Sequence, residues 1–154
     1  MPRRIAAILA LDAAGYTRRM AADRDATLAD LRRVFRDAVR PGVAAEGGRV
    51  VKLAGDGALA EFPSAAGAIL AAAAIQRALR GDPVRLRAGV HVGDVSVEPG
   101  GDVFGDAVNI ASRLEAAAPE GGLLVSRTAV EMAGGGLGLV LRPLGALRLK
   151  GVPR

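Results

Sequence analysis

From Arg4 to Leu11 the chain reads RIAAILAL, an almost unbroken apolar run of strand length. It predicts a central strand covered on both faces, because a strand with one wet face alternates apolar and polar residues. Ala13-Ala14-Gly15 then turns the chain. After Asp25, which can cap a helix, the period changes. Leu28, Leu31, Val34, Phe35, Ala38, Val39 and Val43 recur at helical spacing, with Asp30, Arg32, Arg33, Arg36 and Asp37 on the outer side. Pro41 is expected to kink or break this helix near Arg40, since proline has no N–H and its ring meets the carbonyl four residues back. Gly47-Gly48 ends it.

Two short runs follow, RVVKLA over Arg49–Ala54 and ALAEF over Ala58–Phe62, read as a hairpin around Gly55-Asp56-Gly57. Ser64 can cap a second, alanine-rich helix carrying Ile69, Leu70, Ile75 and Leu79, which ends near Gly81-Asp82-Pro83. Leu86, Ala88, Val90 and Val92 alternate with Arg85, Arg87 and His91, the period of a strand with one buried face. A third helix is expected from about Asp106 towards Ala118. A strand at Leu123–Val125, a short helix from Arg127, a turn at Gly134–Gly138 and two short strands complete the order. The first part matches the split βαβ, ferredoxin-like pattern: an α+β fold whose mainly antiparallel sheet carries helices on one side.

The chain has 154 residues, about half of them apolar, consistent with one domain and a substantial core. Without cysteine, thiolate catalysis and disulfides are excluded. No apolar run is long enough to span a bilayer, so no membrane segment is expected and a cytoplasmic location is the default. The net charge of +5 invites a nucleic-acid partner. The arginines are scattered, however, and three Phe, one Tyr and no Trp make a poor base-stacking platform. A nucleic-acid partner is therefore not expected; a basic surface also suits a polyanionic small substrate.

The candidate chemistry starts with two aspartates. Asp12 and Asp56 each stand where an apolar strand turns, and either alone is explained as a cap or a turn residue. If the hairpin pairs beside the first strand, both acids meet at one edge of the sheet, with no compensating arginine nearby in sequence. Hard cations shared with substrate phosphates would resolve that arrangement. The loop Ala14-Gly15-Tyr16-Thr17 has small residues that let a ligand approach, ahead of a helix start that favours phosphate. Asn109 and Arg113 lie four apart on one helix face, a donor pair suited to developing negative charge, although on spacing alone an exposed polar face is the readier explanation. Gly55-Asp56-Gly57-Ala58-Leu59-Ala60 fits a loose dinucleotide pattern but precedes strand residues and Pro63 rather than a helix, so that reading fails. There is no P-loop. His91 reads as a packed strand residue rather than a general base.

Taken together, AILALDAAGYT, GGRVVKLAGDGALAEF, AGVHVGDV, GDVFGDAVNIASRLEAAAPEGGLLVS and LRLKG, in this order from Arg4 to Gly151, resemble the catalytic domain of the class III nucleotidyl cyclases. The resemblance implies a palm-type core with added C-terminal αβ elements, and production of a cyclic nucleotide. It makes Asp12 and Asp56, with the carbonyl of Ala13, the ligands of two Mg2+ or Mn2+ ions. Ala14, Gly15, Tyr16 and Thr17 would hold the triphosphate, aided by Lys150. Lys52 and Asp102 would read the purine in a combination that favours ATP; guanylate cyclases typically carry Glu and Cys-like residues there. Asn109 would orient the ribose and Arg113 would meet charge at the reacting phosphate. The centre would lie between two chains packed head to tail, so a homodimer would hold two sites and a monomer none. The implied activity is adenylate cyclase; the alternative is a catalytically silent domain that binds nucleotide or a partner, although such relatives normally lose a metal aspartate or the arginine. The resemblance departs at Asp94, where some relatives have a phosphate-binding arginine. It also predicts that residues 1–154 form a single domain lacking the last family strand, as in a piece of a longer protein.

Overall fold

A computed structural model describes residues 2–55 and 57–139. Its central strand β1 (Arg3–Ala13) is flanked by antiparallel neighbours on both sides. Residues 57–62 form β3 beside it, next to β2 (Arg49–Ala54), and β4 (Leu86–Val97) lies on the other side. The short β5 (Val103–Phe104) pairs with the far half of β4, and β6 (Leu123–Val125) pairs in parallel with its near half. The order among the described residues is β2-β3-β1-β4-β5, with β6 also on β4.

The apolar run in β1 is divided between two cores. Ala7, Leu9 and Leu11 join the larger one with Val34, Val39, Ile69 and Ile75, beneath the helices that precede and follow the hairpin. Ala6, Ile8 and Ala10 face the opposite way, onto Ala107 and Ala111 of α5 (Asp106–Ala117). Burial on both faces is what the lack of alternation predicts. The helices of the first part lie on one face, as the split βαβ pattern predicts, and α5, from the later part of the chain, covers the other. Small residues permit this, because Ala6 and Ala10 on the sheet meet Ala107 and Ala111 on the helix.

The remaining helices are α1 (Tyr16–Ala22), α2 (Arg24–Val34), α3 (Arg40–Ala45), α4 (Ala65–Ala78) and α6 (Arg127–Ala133). Asp23, not Asp25, caps α2, its carboxylate accepting from the Ala26 N–H at 3.0 Å. Thr27 Oγ1 reinforces that start by donating to the Asp23 carbonyl at 2.7 Å. The break expected near Arg40 takes the form of a π-turn over Phe35–Val39, where the Arg40 N–H reaches back to the Phe35 carbonyl. The widened turn comes just before Pro41, where a regular helix would need a donor that proline lacks. Ser64 caps α4 as expected, accepting from the Gly67 N–H at 2.9 Å. Asp56, the two final strands and Lys150 lie outside the described residues. No helix among the described residues is long and apolar enough to cross a membrane.

Candidate active site

Asp12 occupies the end of β1 and is half-buried, with its Oδ1 removed from solvent. It faces the α5 side of the sheet, in phase with Ala6, Ile8 and Ala10. There an open cleft of about 370 Å³ runs between α5 and the strands. Ala10 and Leu59 form its floor, Val108, Ser112 and Glu115 its helical wall, and Asp12 and Lys52 add polar groups from the strands.

Lys52 reaches this cleft because β2 is irregular. Val50 pairs with Ala60, but Lys52 pairs with Leu59, so Val51 is an extra residue in the ladder. Without that bulge Lys52 would oppose Ala58 and share the face of Ala60, which belongs to the larger core. With it, Lys52 shares the face of Leu59 and lies on the side of Asp12. Its ammonium stands 3.9 Å from Asp102 Oδ2 and 5.7 Å from the centre of the Phe104 ring. Asp102 Oδ1 accepts from the Val103 N–H at 2.8 Å, which fixes the carboxylate at the start of β5. The purine-reading pair implied by the resemblance is thus brought together from residues fifty positions apart.

The Ala14–Thr17 loop, which the resemblance assigns to the phosphates, is more closely tied. Ala13 and Ala14 are buried, and the Ala14 N–H donates to the Arg85 carbonyl at 2.8 Å. Gly15 takes a left-handed φ of +69° that starts α1, Tyr16 packs its ring on the larger core, and Thr17 is exposed. Asn109 and Arg113 are both exposed on α5. Ala107, Ala111 and Leu114 of that helix are buried, so Asn109 and Arg113 occupy its outward flank, apart from the wall formed by Val108, Ser112 and Glu115. One chain therefore does not bring them together with Asp12.

Sequence reasoning missed a cation near Asp12. Arg87 lies directly opposite it across the β1–β4 ladder, on the same face. Its guanidinium is anchored at the end of α5, donating to the Ala118 carbonyl at 3.1 Å. Only the pairing register could have revealed it. His91 fulfils its expectation: half-buried, its Nδ1 lies 2.7 Å from Ser126 Oγ, and burial lowers its pKa below the usual 6.5. Asp94 sits at the rim of the sheet, 3.7 Å from Arg3.

Comparison with known proteins agrees with this architecture. Residues 49–153 match the family described as the adenylate and guanylate cyclase catalytic domain. A candidate adenylate cyclase of Rhizobium meliloti (strain 1021) is 46% identical over 132 residues, covering 80% of this chain and 22% of that protein. An adenylate cyclase of Streptomyces coelicolor is 36% identical over 122 residues, covering 78% of this chain and 32% of that protein. The chain thus spans a third or less of the length of these two relatives. An adenylate/guanylate cyclase/hydrolase structure from Silicibacter pomeroyi superposes with a TM-score of 0.85 at 36% identity, over 99% of this chain and 93% of that one. The adenylyl cyclase CyaB from P. aeruginosa gives the same TM-score at 22% identity, over 99% of this chain and 91% of that one, and shows the shared fold alone. By sequence and by fold, the chain belongs to the adenylate and guanylate cyclase catalytic domain family.

Proposed function

We propose that this domain is an adenylate cyclase, converting ATP to 3′,5′-cyclic AMP and pyrophosphate as a cytoplasmic homodimer with two Mg2+ or Mn2+ ions per site. The observation that carries the choice of substrate is the Lys52–Asp102 pair at 3.9 Å beside the cleft. Adenine presents an acceptor at N1 and a donor at N6; guanine presents the reverse at N1 and O6. An ammonium offers only donors and a carboxylate only acceptors, so this pair complements adenine and leaves guanine mismatched. At about 1.5–3 kcal/mol per charged hydrogen bond, two mismatches amount to a preference of at least a hundred-fold, roughly.

The donor chemistry at the end of β1 fits the metals. Asp12 is an all-oxygen ligand lining the cleft, and Asp56 and the Ala13 carbonyl would complete a hard, oxygen-based set. When bound, the cations supply Lewis acidity that lowers the pKa of the ribose 3′-hydroxyl and offsets triphosphate charge. The chain's own groups do the rest. Lys52 and Asp102 seat the base, Asn109 orients the ribose, and the Ala14–Thr17 loop with Lys150 holds the phosphates. The 3′-hydroxyl loses its proton, which leaves to solvent, and O3′ forms its bond to the α-phosphorus as the bond to the bridging oxygen of pyrophosphate breaks. Arg113 meets the charge gathering on the α-phosphate oxygens.

The outward position of Asn109 and Arg113 supports a site completed by a second copy. Lys52 lining the same cleft as Asp12 makes the division of labour a matter for experiment. Asp12→Ala and Lys52→Ala are each expected to abolish cyclic AMP formation. Mixed one to one with subunit exchange, they should recover about one quarter of parental activity, from one intact site in each mixed dimer. A silent mixture despite demonstrated exchange would mean that both residues serve one nucleotide within one chain.

A further inference from the structure

On the same face as the cleft, further along β1 and β3, lies an ion cluster that the proposed chemistry leaves unused. Glu61 of β3 is only 5% exposed. Its Oε1 accepts from Arg4 Nη2 at 2.9 Å and from Arg49 Nε at 3.1 Å, and Arg4 Nη1 pairs with its second oxygen. A buried carboxylate is unfavourable unless it is compensated, and two guanidinium groups from neighbouring strands compensate this one. The arrangement also aims Arg49. Its Nε and Nη2 both face Glu61 Oε1, at 3.1 and 2.9 Å, and the same Nη2 also donates to the Gly101 carbonyl at 3.0 Å, so one guanidinium bridges the carboxylate and the turn.

Gly101 immediately precedes Asp102, in a tight turn closed by two hydrogen bonds of 2.9 Å: the Glu98 N–H to the Asp102 carbonyl, and the Gly101 N–H to the Glu98 carbonyl. This turn is therefore held against β2 at Gly101, three residues along that strand from Lys52. Arg49 sits on β2 before the bulge and Lys52 after it. The tether thus sets the distance between the strand that supplies the ammonium and the turn that supplies the carboxylate.

We propose that Arg49, aimed by Glu61, is a positioning residue for base selection: it seats the Gly101–Asp102 turn so that Asp102 meets the purine beside Lys52. This rests on the adenylate reading above. Arg49 touches no substrate, and its effect passes through Asp102. Leucine at position 49 removes the tether while Arg4 still compensates Glu61. Lysine keeps the charge but replaces the two nitrogens that hold this bridge, Nε and Nη2, with one.

The test measures kcat and KM for ATP and GTP with the full 154-residue chain and its Arg49→Leu, Arg49→Lys, Asp102→Ala and Arg49→Leu/Asp102→Ala variants. Arg49→Leu should lower kcat/KM for ATP about ten-fold, mainly through KM, and narrow the ATP-to-GTP ratio. Arg49→Lys should fall in between, and it carries the test if the leucine variant does not fold. The double variant should lose no more than Asp102→Ala alone, because the two act on one interaction. Equal losses towards both nucleotides, or losses that add in the double variant, would overturn the inference while leaving the adenylate reading intact. If Asp102→Ala itself leaves the ATP-to-GTP ratio unchanged, the adenylate reading fails and takes the inference with it.

Discussion

At Gly89 of β4 the backbone of α5 lies close against the sheet, and replacing this glycine with alanine tests whether that contact sets the cleft. A Cβ at this position would lie 2.4 Å from both the Ala111 carbonyl oxygen and the Glu115 nitrogen, against 3.4 Å or more for an ordinary contact. Both neighbours are helix backbone, so no side chain can turn aside and α5 must move by about 1 Å, to restore normal packing distance. Overpacking of this kind destabilises by about 1–3 kcal/mol. The stiffer unfolded chain returns only about 0.4–1 kcal/mol, so the clash wins. For a domain of this size the net loss corresponds to a melting temperature lower by roughly 2–8 °C. The same shift displaces Val108 and Ser112 on the cleft wall and Asn109 and Arg113 on the outer flank, and a misplacement of about 1 Å can reduce turnover about a hundred-fold. Gly93→Ala is the control on the same strand face. Its nearest neighbours are His91 Nε2 at 3.3 Å and the Ala107 Cβ at 3.4 Å, which need yield only a few tenths of an ångström. Thermal unfolding followed by circular dichroism, with cyclic AMP formation measured below the transition, gives both readouts. A Gly89→Ala protein melting within about 1 °C of the parent with full activity would refute the reasoning, as would equal damage from Gly93→Ala.

Two further expectations concern pH. His91 has its pKa lowered by burial, so its folded form favours the neutral ring. Its contribution to stability is complete above about 6.5 and is lost as pH falls through the lowered folded value, because protonation then favours the unfolded chain. His91→Asn should flatten melting temperature against pH between about 7 and 5; an unchanged slope would remove His91 as the source. Asp82 accepts from both Nη groups of Arg33, at 2.7 and 3.0 Å, and that hydrogen bonding holds its pKa below the usual 3.8. The carboxylate therefore stabilises the fold above about 3.8, and the contribution fades as pH falls through the lowered folded value. Asp82→Asn should cost about 1 kcal/mol or less at pH 7, seen as a shift in denaturant midpoint that closes in acid. A difference that persists at low pH would point to packing rather than charge.

The elements were legible wherever a local pattern determined them. The missing alternation in RIAAILAL required cover on both faces, and β1 is buried on both. The residue types around Gly55 predicted a hairpin whose strands meet their expected bounds to within a residue, and Ser64 capped the helix it was expected to cap. Where a neighbour from elsewhere in the chain intervened, the pattern was silent or misleading. Asp25 and Asp23 are equally good caps by residue type, and the choice fell to the one whose carbonyl also receives Thr27. The apolar stripe of the third helix showed that it packs on something, without showing that its partner is the face opposite to the other helices.

The candidate site divides along the same line. Asp12 at a strand end, and Asn109 and Arg113 one helical turn apart, follow from spacing along single elements, and the sequence alone was enough to determine them. Which groups face one another depends on pairing register, which a single residue can reverse. The extra residue at Val51 turns Lys52 from the larger core to the cleft, where it meets Asp102 and Phe104. The same register sets Arg87 opposite Asp12 and lets Glu61 aim Arg49 at Gly101. Residue identity supplied the charges and local periodicity the strands and helices. Only the paired sheet, where side chains alternate faces every residue, decided which charges share a face.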